Sequence, residues 1–316
     1  MKNDILVSIC AITYNQASYI RQCLDGFLMQ KTDFKYEIII HDDCSTDGTT
    51  EIVREYAEKH SDLVKPIFQT VNQYQNGNKR ILATYVYPRA KGKYYAICEG
   101  DDYWIDPYKL QKQVNYLETH PECVMTCNRT KQYSEKQHRF IGDNYCYNQS
   151  QEVETKDIIL GSGLFISTCS ILYRCSIMGS YYPDYCLSCH VGDYPLQVFA
   201  ALKGGVYYFN DAMSVYRVAN SSSWVGKSKK AKITEIKLED MQSEIDMLNG
   251  FANDFPLYKE TFETRKLLYI LYSVPNRMRD RFGFQCYCRR FSDIIENFSV
   301  KQKIKFIYRS TIPNLF

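Results

Sequence analysis

The chain has 316 residues, of which 45% are hydrophobic and 24% are charged, and its formal net charge is +3. This composition predicts a soluble globular protein with one large domain and an appendage. No apolar run reaches the roughly 18 residues of a membrane-spanning helix, and the N-terminal residues lack the features of a signal peptide, so neither is expected.

Strand-like and helix-like segments alternate along the first part of the chain. Apolar, β-prone runs occur at residues 5–12, 36–41, 63–68 and 94–98. Helical spacing of apolar residues follows Ser18, Asp47-Gly48 and Pro107, and a further helix is predicted over about 79–90. Strands without polar alternation, separated by amphipathic helices, predict an α/β fold with a mostly parallel sheet sandwiched by helices.

Polar side chains follow three of the predicted strands. These groups are Thr13-Tyr14-Asn15, Asp42-Asp43 and Glu99-Gly100-Asp101-Asp102. Ligands of such sheets bind beyond the carboxyl ends of the strands, so the three groups are expected to face one crevice. Neither a G-x-G-x-x-G nor a phosphate-loop motif is present. The predicted crevice is therefore lined by carboxylates.

Crowded carboxylates repel one another unless a cation lies among them. Aspartate oxygens suit Mg²⁺ or Mn²⁺, which commonly bridge to a diphosphate, and a second Asp pair would accept hydrogen bonds from a base or ribose. The alternative for Asp42-Asp43 is a solvated turn in which Asp47 caps the next helix. A second acidic pair at the next strand tip favours a site.

Three segments together resemble the family 2 glycosyltransferases over residues 5–218. They read VSICAITYNQASYI, IIIHDDCSTDGT and AKGKYYAICEGDDYWIDPYKLQKQVNYLETHPE. The resemblance implies the nucleotide-diphospho-sugar transferase A-type fold and a Mn²⁺ or Mg²⁺ cofactor. It also implies that Tyr14 and Asp43 lie near the nucleobase and Asp101 near the ribose, and that Asp102 is a metal ligand on the diphosphate.

An inverting transferase also needs a base that deprotonates the acceptor hydroxyl. The stretch HVGDYPLQVFAALKGG offers Asp193, and the resemblance implies that Asp193 is this base. The alternative for Asp193 is an ordinary helix N-cap. Two positions depart from the family pattern: Ala219 stands where relatives often have a His, and Ile12 stands where they commonly have Pro or Thr.

The predicted domains are a catalytic domain at 1–226, with a nucleotide-binding half (1–120) and an acceptor half (121–226), and a helical basic region at 227–316. From Arg277 onward nine Lys/Arg face three Asp/Glu. Phe291, Ile294, Ile295 and Phe298 have helical spacing, so this segment either packs on the catalytic domain, which is favoured, or lies on an anionic bilayer. Nucleic acid binding is not expected.

The thirteen cysteines and the family resemblance bear on the location and pathway. Most cysteines lie in apolar runs, which favours a reducing compartment over a disulfide framework, and Cys186-Leu-Ser-Cys189 lacks the second pair of a zinc site. The expectation is a cytoplasmic enzyme, at the inner face of a membrane if the basic region binds lipid. Its pathway would be bacterial polysaccharide or glycolipid synthesis.

The predicted activity is inverting transfer of a sugar from a nucleoside diphosphate, with UDP the expected carrier, to a saccharide or lipid-linked acceptor. One alternative is a non-catalytic nucleotide-sugar-binding protein, which Ala219 makes conceivable. Another is a phosphatase with an aspartyl nucleophile. That class favours D-x-D followed by Thr or Val, whereas Tyr103-Trp104 follows here.

Overall fold

The computed structural model describes residues 4–179, 182–218, 234–275 and 280–311. The chain forms two compact units: one comprises Met1–Tyr182 and Leu196–Gly226, and the other comprises Pro183–Pro195 and Lys227–Phe316. The second unit therefore takes in residues 183–195, which the sequence analysis placed in the acceptor half. Ala219 lies outside the described residues.

The described strands of the first unit are β1 (Ile5–Thr13), β2 (Lys35–Asp42), β3 (Val64–Phe68), β4 (Tyr94–Glu99), β5 (Tyr103–Trp104), β6 (Cys123–Ser134), β7 (Arg139–Asn144), β8 (Gln151–Glu152), β9 (Leu172–Arg174) and β10 (Gly205–Val218). They form one sheet with the order β3-β2-β1-β4-β9-β6-β10-β5, with β7 beside β6 and β8 beside β10. Strands β1 to β4 pair in parallel, whereas β9 runs antiparallel to β4 and β6. The α/β fold is confirmed, and its sheet is mixed.

The helices are α1 (Ile20–Leu28), α2 (Thr49–Lys59), α3 (Lys109–Thr119), α4 (Thr155–Gly161), α5 (Asp184–Ser188), α6 (Asp193–Lys203), α7 (Glu235–Asp254), α8 (Lys259–Ser273), α9 (Arg281–Arg290), α10 (Ser292–Glu296) and α11 (Val300–Thr311). The helix predicted over 79–90 is instead a π-helical turn at Leu82–Val86 followed by a 3₁₀ turn at Tyr87–Arg89. Pro88 has no N–H to donate, so a regular α-helix does not continue through it.

The core of the first unit forms where the apolar strands meet helices α1 and α3. Its buried residues include Val7, Ile9, Ala11, Ile38, Ile40, Ala96, Leu24, Phe27, Leu110, Val114 and Leu117. Trp104 lies at the end of this core, edge-on to Phe27 at 4.7 Å between ring centroids, and its Nε1 donates to the Cys169 carbonyl at 2.8 Å. The residues after the acidic pair are thus fixed in the core.

The second unit has its own core, formed by Leu238, Met241, Ile245, Ile270, Leu271, Tyr287, Phe291, Phe298 and Phe306. Phe291 and Phe298 belong to the amphipathic stripe predicted for the tail, and Ile294 and Ile295 pack against the same cluster. The stripe therefore packs among the helices of its own unit, which neither sequence alternative had foreseen. Each helix in the described part of the chain is too short or too polar to span a bilayer.

Candidate functional site

The carboxyl ends of β1, β2 and β4 lie side by side. In the parallel register Thr13 is opposite Asp42, and Ile12 is opposite Glu99. Gly100 follows β4, and its N–H donates to the Ile12 carbonyl at 2.9 Å. A Cβ at Gly100 would lie 2.9 Å from the Cβ of Thr13, so glycine lets the chain that carries the acidic pair pass close to the end of β1. The structure thus brings the three predicted polar groups to one edge.

Asn15 joins the loop after β1 to the loop after β2. Its N–H donates to Ser45 Oγ at 2.9 Å, and its Oδ1 accepts from the Thr46 N–H at 2.8 Å. Its φ of 53° lies in the left-handed region that Asn tolerates better than most residues. Thr13 is buried with its hydroxyl 2.8 Å from Gln16 Oε1, and Tyr14 between them is half-buried.

The carboxylate of Asp42 is buried and bound within its own turn. It accepts from Ser45 Oγ at 2.5 Å and from the Thr50 hydroxyl at the start of α2. These contacts close the turn between β2 and α2, and Asp42 and Asp43 are both buried, whereas the alternative considered for this pair was a solvated turn. Asp47 Oδ1 accepts from the Thr49 N–H at 3.1 Å, but the N-cap of α2 is Gly48 and not, as that alternative had it, Asp47.

The carboxylate of Asp43 fixes a third loop at the same edge. Its Oδ1 accepts from the Gln73 N–H at 2.8 Å and its Oδ2 from the Tyr74 N–H at 3.0 Å. The Asn72 side chain also donates to the Asp43 carbonyl at 3.1 Å. Each carboxylate oxygen retains capacity for a further donor, so Asp43 is able to hold this loop and accept a ligand N–H together.

Asp101 and Asp102 are buried between β4 and β5. Asp102 Oδ1 accepts from the Arg217 N–H at 2.8 Å. Burial, and next the negative charge of Asp101, raise the pKa of Asp102 well above its usual value. A carboxylate in this position is stabilised by a cation, and two adjacent carboxylates are hard oxygen donors of the kind that Mg²⁺ and Mn²⁺ accept.

Arg217 is a residue of this site that the sequence analysis did not single out. Its buried guanidinium pairs with Glu135 at 2.8 Å and donates to the Asp101 carbonyl and the Gln22 side chain. It also lies 4.5 Å from the centre of the Tyr103 ring. Strand β10 carries Arg217, and its pairing with β5 brings the residue to the acidic pair. The sequence feature that could have pointed to Arg217 is the Tyr-Arg dipeptide at residues 216–217.

Lys109 and Gln113, the first and last residues of the segment KLQKQ that follows the acidic pair, have a structural role. The Lys109 side chain is fully buried, with Nζ 2.7 Å from Gln113 Oε1 and 3.3 Å from the Ser170 carbonyl. The ammonium lies 4.4 Å from the centre of the Trp104 ring, and burial lowers the pKa of Lys109 to about 8. Lys109 therefore supports Trp104 from within the core.

Asp193 is the first residue of α6, and its Oδ1 accepts from the Tyr194 N–H at 2.8 Å. The segment that carries it is anchored within the second unit. His190 N–H donates to Ser243 Oγ on α7 at 3.0 Å, and the Arg265 guanidinium of α8 lies 5.5 Å from the centre of the buried Tyr194 ring. Helices α7 and α8 therefore hold the start of α6 in place.

A buried ion pair lies beneath this anchor. Arg265 Nη2 is 3.2 Å from Glu244 Oε1, and both side chains are buried. Burial raises the pKa of Glu244 to about 7, Arg265 opposes the rise, and the charge of Asp193 adds to it. Desolvation thus outweighs the attraction within the pair.

Among the described residues, no group of three or more His, Cys, Asp or Glu side chains is arranged to hold a metal. Diphosphate oxygens are the usual further ligands of Mg²⁺ or Mn²⁺ bound at a carboxylate such as that of Asp102.

Comparisons with known proteins identify relatives by sequence and by structure. The model described as "Glycosyl transferase family 2" matches residues 8–181. Rv1520 of Mycobacterium tuberculosis is 37% identical over 222 residues, which are 69% of this chain and 60% of the relative. The chain thus spans less than two thirds of that relative's length.

Two solved structures are similar over nearly the whole chain. TarS 1-349 of Staphylococcus aureus in complex with UDP-GlcNAc has a TM-score of 0.61 at 17% identity and covers 95% of this chain and 84% of its own. The mannosyltransferase PcManGT of Pyrobaculum calidifontis, in complex with GDP-Man and Mn2+, has a TM-score of 0.55 at 16% identity, with 96% and 78% covered. At these identities the likeness establishes the A-type nucleotide-sugar transferase fold, which confirms the prediction.

Proposed function

The chain belongs to glycosyl transferase family 2, and from this premise we propose that it transfers a sugar from a nucleoside-diphosphate donor to an acceptor hydroxyl with inversion at the anomeric carbon. The observation that carries the proposal is the buried Asp101-Asp102 pair at the edge where the ends of β1, β2 and β4 meet. The proposed donor is a UDP-sugar, as in the TarS complex. The proposed acceptor is a saccharide or lipid-linked sugar in bacterial polysaccharide or glycolipid synthesis.

The nucleoside would be bound by the polar groups at the strand ends. Tyr14 and Asp43 would contact the nucleobase, because Asp43 keeps acceptor capacity for a base N–H beside the loop that it fixes. Thr13, Asn15 and Asp42 would support these contacts through the turns that they close. Asp101 would accept from a ribose hydroxyl.

The diphosphate would lie against Asp102. Mn²⁺ or Mg²⁺, for which this pair supplies suitable oxygen donors, stabilises the negative charge of a departing diphosphate when bound. Arg217 would hold the geometry, because its backbone N–H orients the Asp102 carboxylate and its guanidinium binds the Asp101 carbonyl. The presence of Mn2+ in the PcManGT complex is in line with this assignment.

Asp193 would accept the proton of the acceptor hydroxyl as its oxygen attacks the anomeric carbon. The carboxylate lies at the start of a helix that the buried Tyr194 anchors. A base that is held in one orientation increases the reaction rate more than a mobile one.

The test combines donor binding with turnover. A thermal-shift panel of nucleotide sugars with Mg²⁺ or Mn²⁺ identifies the donor, and release of the nucleotide measures transfer or slow hydrolysis. Asp193→Asn should lower the rate by at least about a hundredfold and leave nucleotide affinity nearly intact. Asp184→Asn, at the first residue of α5 in the same segment, is the matched control and should retain activity.

Each alternative has its own outcome in the same assays. Turnover of Asp193→Asn at the wild-type rate would refute the assignment of the base. Nucleotide binding without any turnover would favour a non-catalytic nucleotide-sugar-binding protein. Release of phosphate from simple esters would favour the phosphatase.

A further inference from the structure

Helix α11 has an exposed apolar face opposite the face that it buries. Phe306 and Ser310 point into the core of the second unit. Four large apolar residues of the same helix are exposed: Val300 (77%), Ile304 (64%), Ile307 (56%) and Tyr308 (46%). At about 100° per residue, these four fall within an arc of about 100° on the side away from Phe306. We call them the outer stripe.

The outer stripe is bordered by positive charge. Lys301, Lys303 and Lys305 alternate with its residues and are exposed. No Asp or Glu occurs in the sequence from Asn297 to Phe316. Within the described part of the chain, none of these three lysines forms an ion pair with a carboxylate. Lys305 instead donates to the Tyr272 hydroxyl at 2.6 Å.

We propose that α11 docks the protein on the surface of an anionic lipid bilayer. Apolar side chains of such a helix enter the boundary between headgroups and acyl chains, while lysine side chains extend their ammonium groups to the headgroups. Positive charge next to an exposed apolar stripe is complementary to this surface. A second copy of the chain would instead bring the two sets of lysines together, and like charges across an interface are unfavourable.

This surface differs from the one that the sequence pattern indicated. The residues of that pattern pack in or against the core of the second unit: Phe291, Ile294, Ile295 and Phe298. They therefore stabilise the fold and do not form the proposed membrane-binding surface. The outer stripe lies further along the chain, and its four residues are exposed.

The experiment measures cosedimentation of the full chain with vesicles. Vesicles of phosphatidylglycerol and phosphatidylcholine in equal parts should bind the protein, vesicles of phosphatidylcholine alone should bind it weakly, and added salt should reduce binding. Ile304→Glu should lower binding at least about tenfold, and the double change Lys301→Ala with Lys303→Ala should lower it by about fivefold for each lysine.

Leu257→Glu is the matched control, because Leu257 is also an exposed apolar residue of the second unit (85%) but lies outside α11. It should bind vesicles as the wild type does. Glu is a better helix former than Ile, so Ile304→Glu should keep the helical circular dichroism signal.

Three results would overturn the proposal. The first is wild-type protein that does not bind the anionic vesicles. The second is equal loss of binding in Leu257→Glu and Ile304→Glu. The third is a dimer in sedimentation velocity that Ile304→Glu dissociates, because this result assigns the outer stripe to a second copy. Donor hydrolysis without vesicles is measured separately, so failure here is distinct from failure of the proposed transfer activity.

Discussion

Replacing Glu244 by Gln should remove a pH dependence of stability that the structure assigns to one buried carboxyl group. Glu244 is buried on α7, where it faces Arg265 and Tyr269 and is near the charge of Asp193. Its pKa is raised from 4.5 to about 7, chiefly by burial. Because the raised pKa favours the protonated form in the folded state, this stabilisation is complete below about pH 4.5 and is lost as the pH rises through about 7.

The size of the effect follows from the shift. A rise of the pKa of Glu244 from 4.5 to about 7 corresponds to about 3 kcal/mol, most of which falls between pH 5 and pH 8. The free energy of unfolding of the wild type should therefore fall by about 2–3 kcal/mol more over this range than that of Glu244→Gln. The variant also leaves Arg265 without its partner, so its absolute stability should be lower, and the pH slope is the informative quantity.

The assay is urea unfolding at pH 5 and at pH 8, followed by circular dichroism, which reports on the helices of the chain. Glu239→Gln on the same helix is the control, because Glu239 is exposed and should leave the wild-type slope unchanged. Parallel pH profiles for the wild type and Glu244→Gln would refute the reasoning, since they would mean that burial does not perturb this group.

Two further predictions concern the first unit. Asp102→Asn should weaken Mn²⁺-dependent binding of a nucleoside diphosphate at least about tenfold in calorimetry, because an amide is a poorer ligand than a carboxylate, and equal affinity with and without Mn²⁺ would contradict this role. Gly26→Ala should cost about 1–3 kcal/mol in urea unfolding, because its Cβ would lie 2.9 Å from the backbone N and O of Trp104. Gly179→Ala, whose nearest contact would be 3.4 Å, should cost little, and equal losses for the two variants would count against close packing at Gly26.

The sequence predicted the parallel part of the sheet, which consists of β1 to β4. Strands β1, β2 and β4 read as apolar runs, and their ends carry the polar residues because parallel strands place their carboxyl ends at one edge. The antiparallel β9 between β4 and β6 could not be predicted, because pairings between distant segments leave little trace in local periodicity.

The same limit applies to the candidate site. Asp102 and its partner Arg217 are 115 residues apart, so no local pattern connects them. The inclusion of residues 183–195 in the second unit could not be predicted for the same reason. Tyr194 is buried near Arg265, which comes much later in the chain. In the tail, the spacing of Phe291 to Phe298 correctly indicated an apolar face, but spacing alone does not tell which partner covers it.

The anchoring of residues 183–195 bears on how this protein can be shortened or recombined. A truncation at residue 226 follows the boundary that the sequence suggests, yet it would remove both helices that Tyr194 and His190 contact. The shortened chain would expose an aromatic side chain to water directly beside Asp193. Exchanging C-terminal regions between relatives would likewise replace the helices that pack against the segment carrying Asp193. Such chimeras should therefore take residues 183–195 and the C-terminal helices from the same parent.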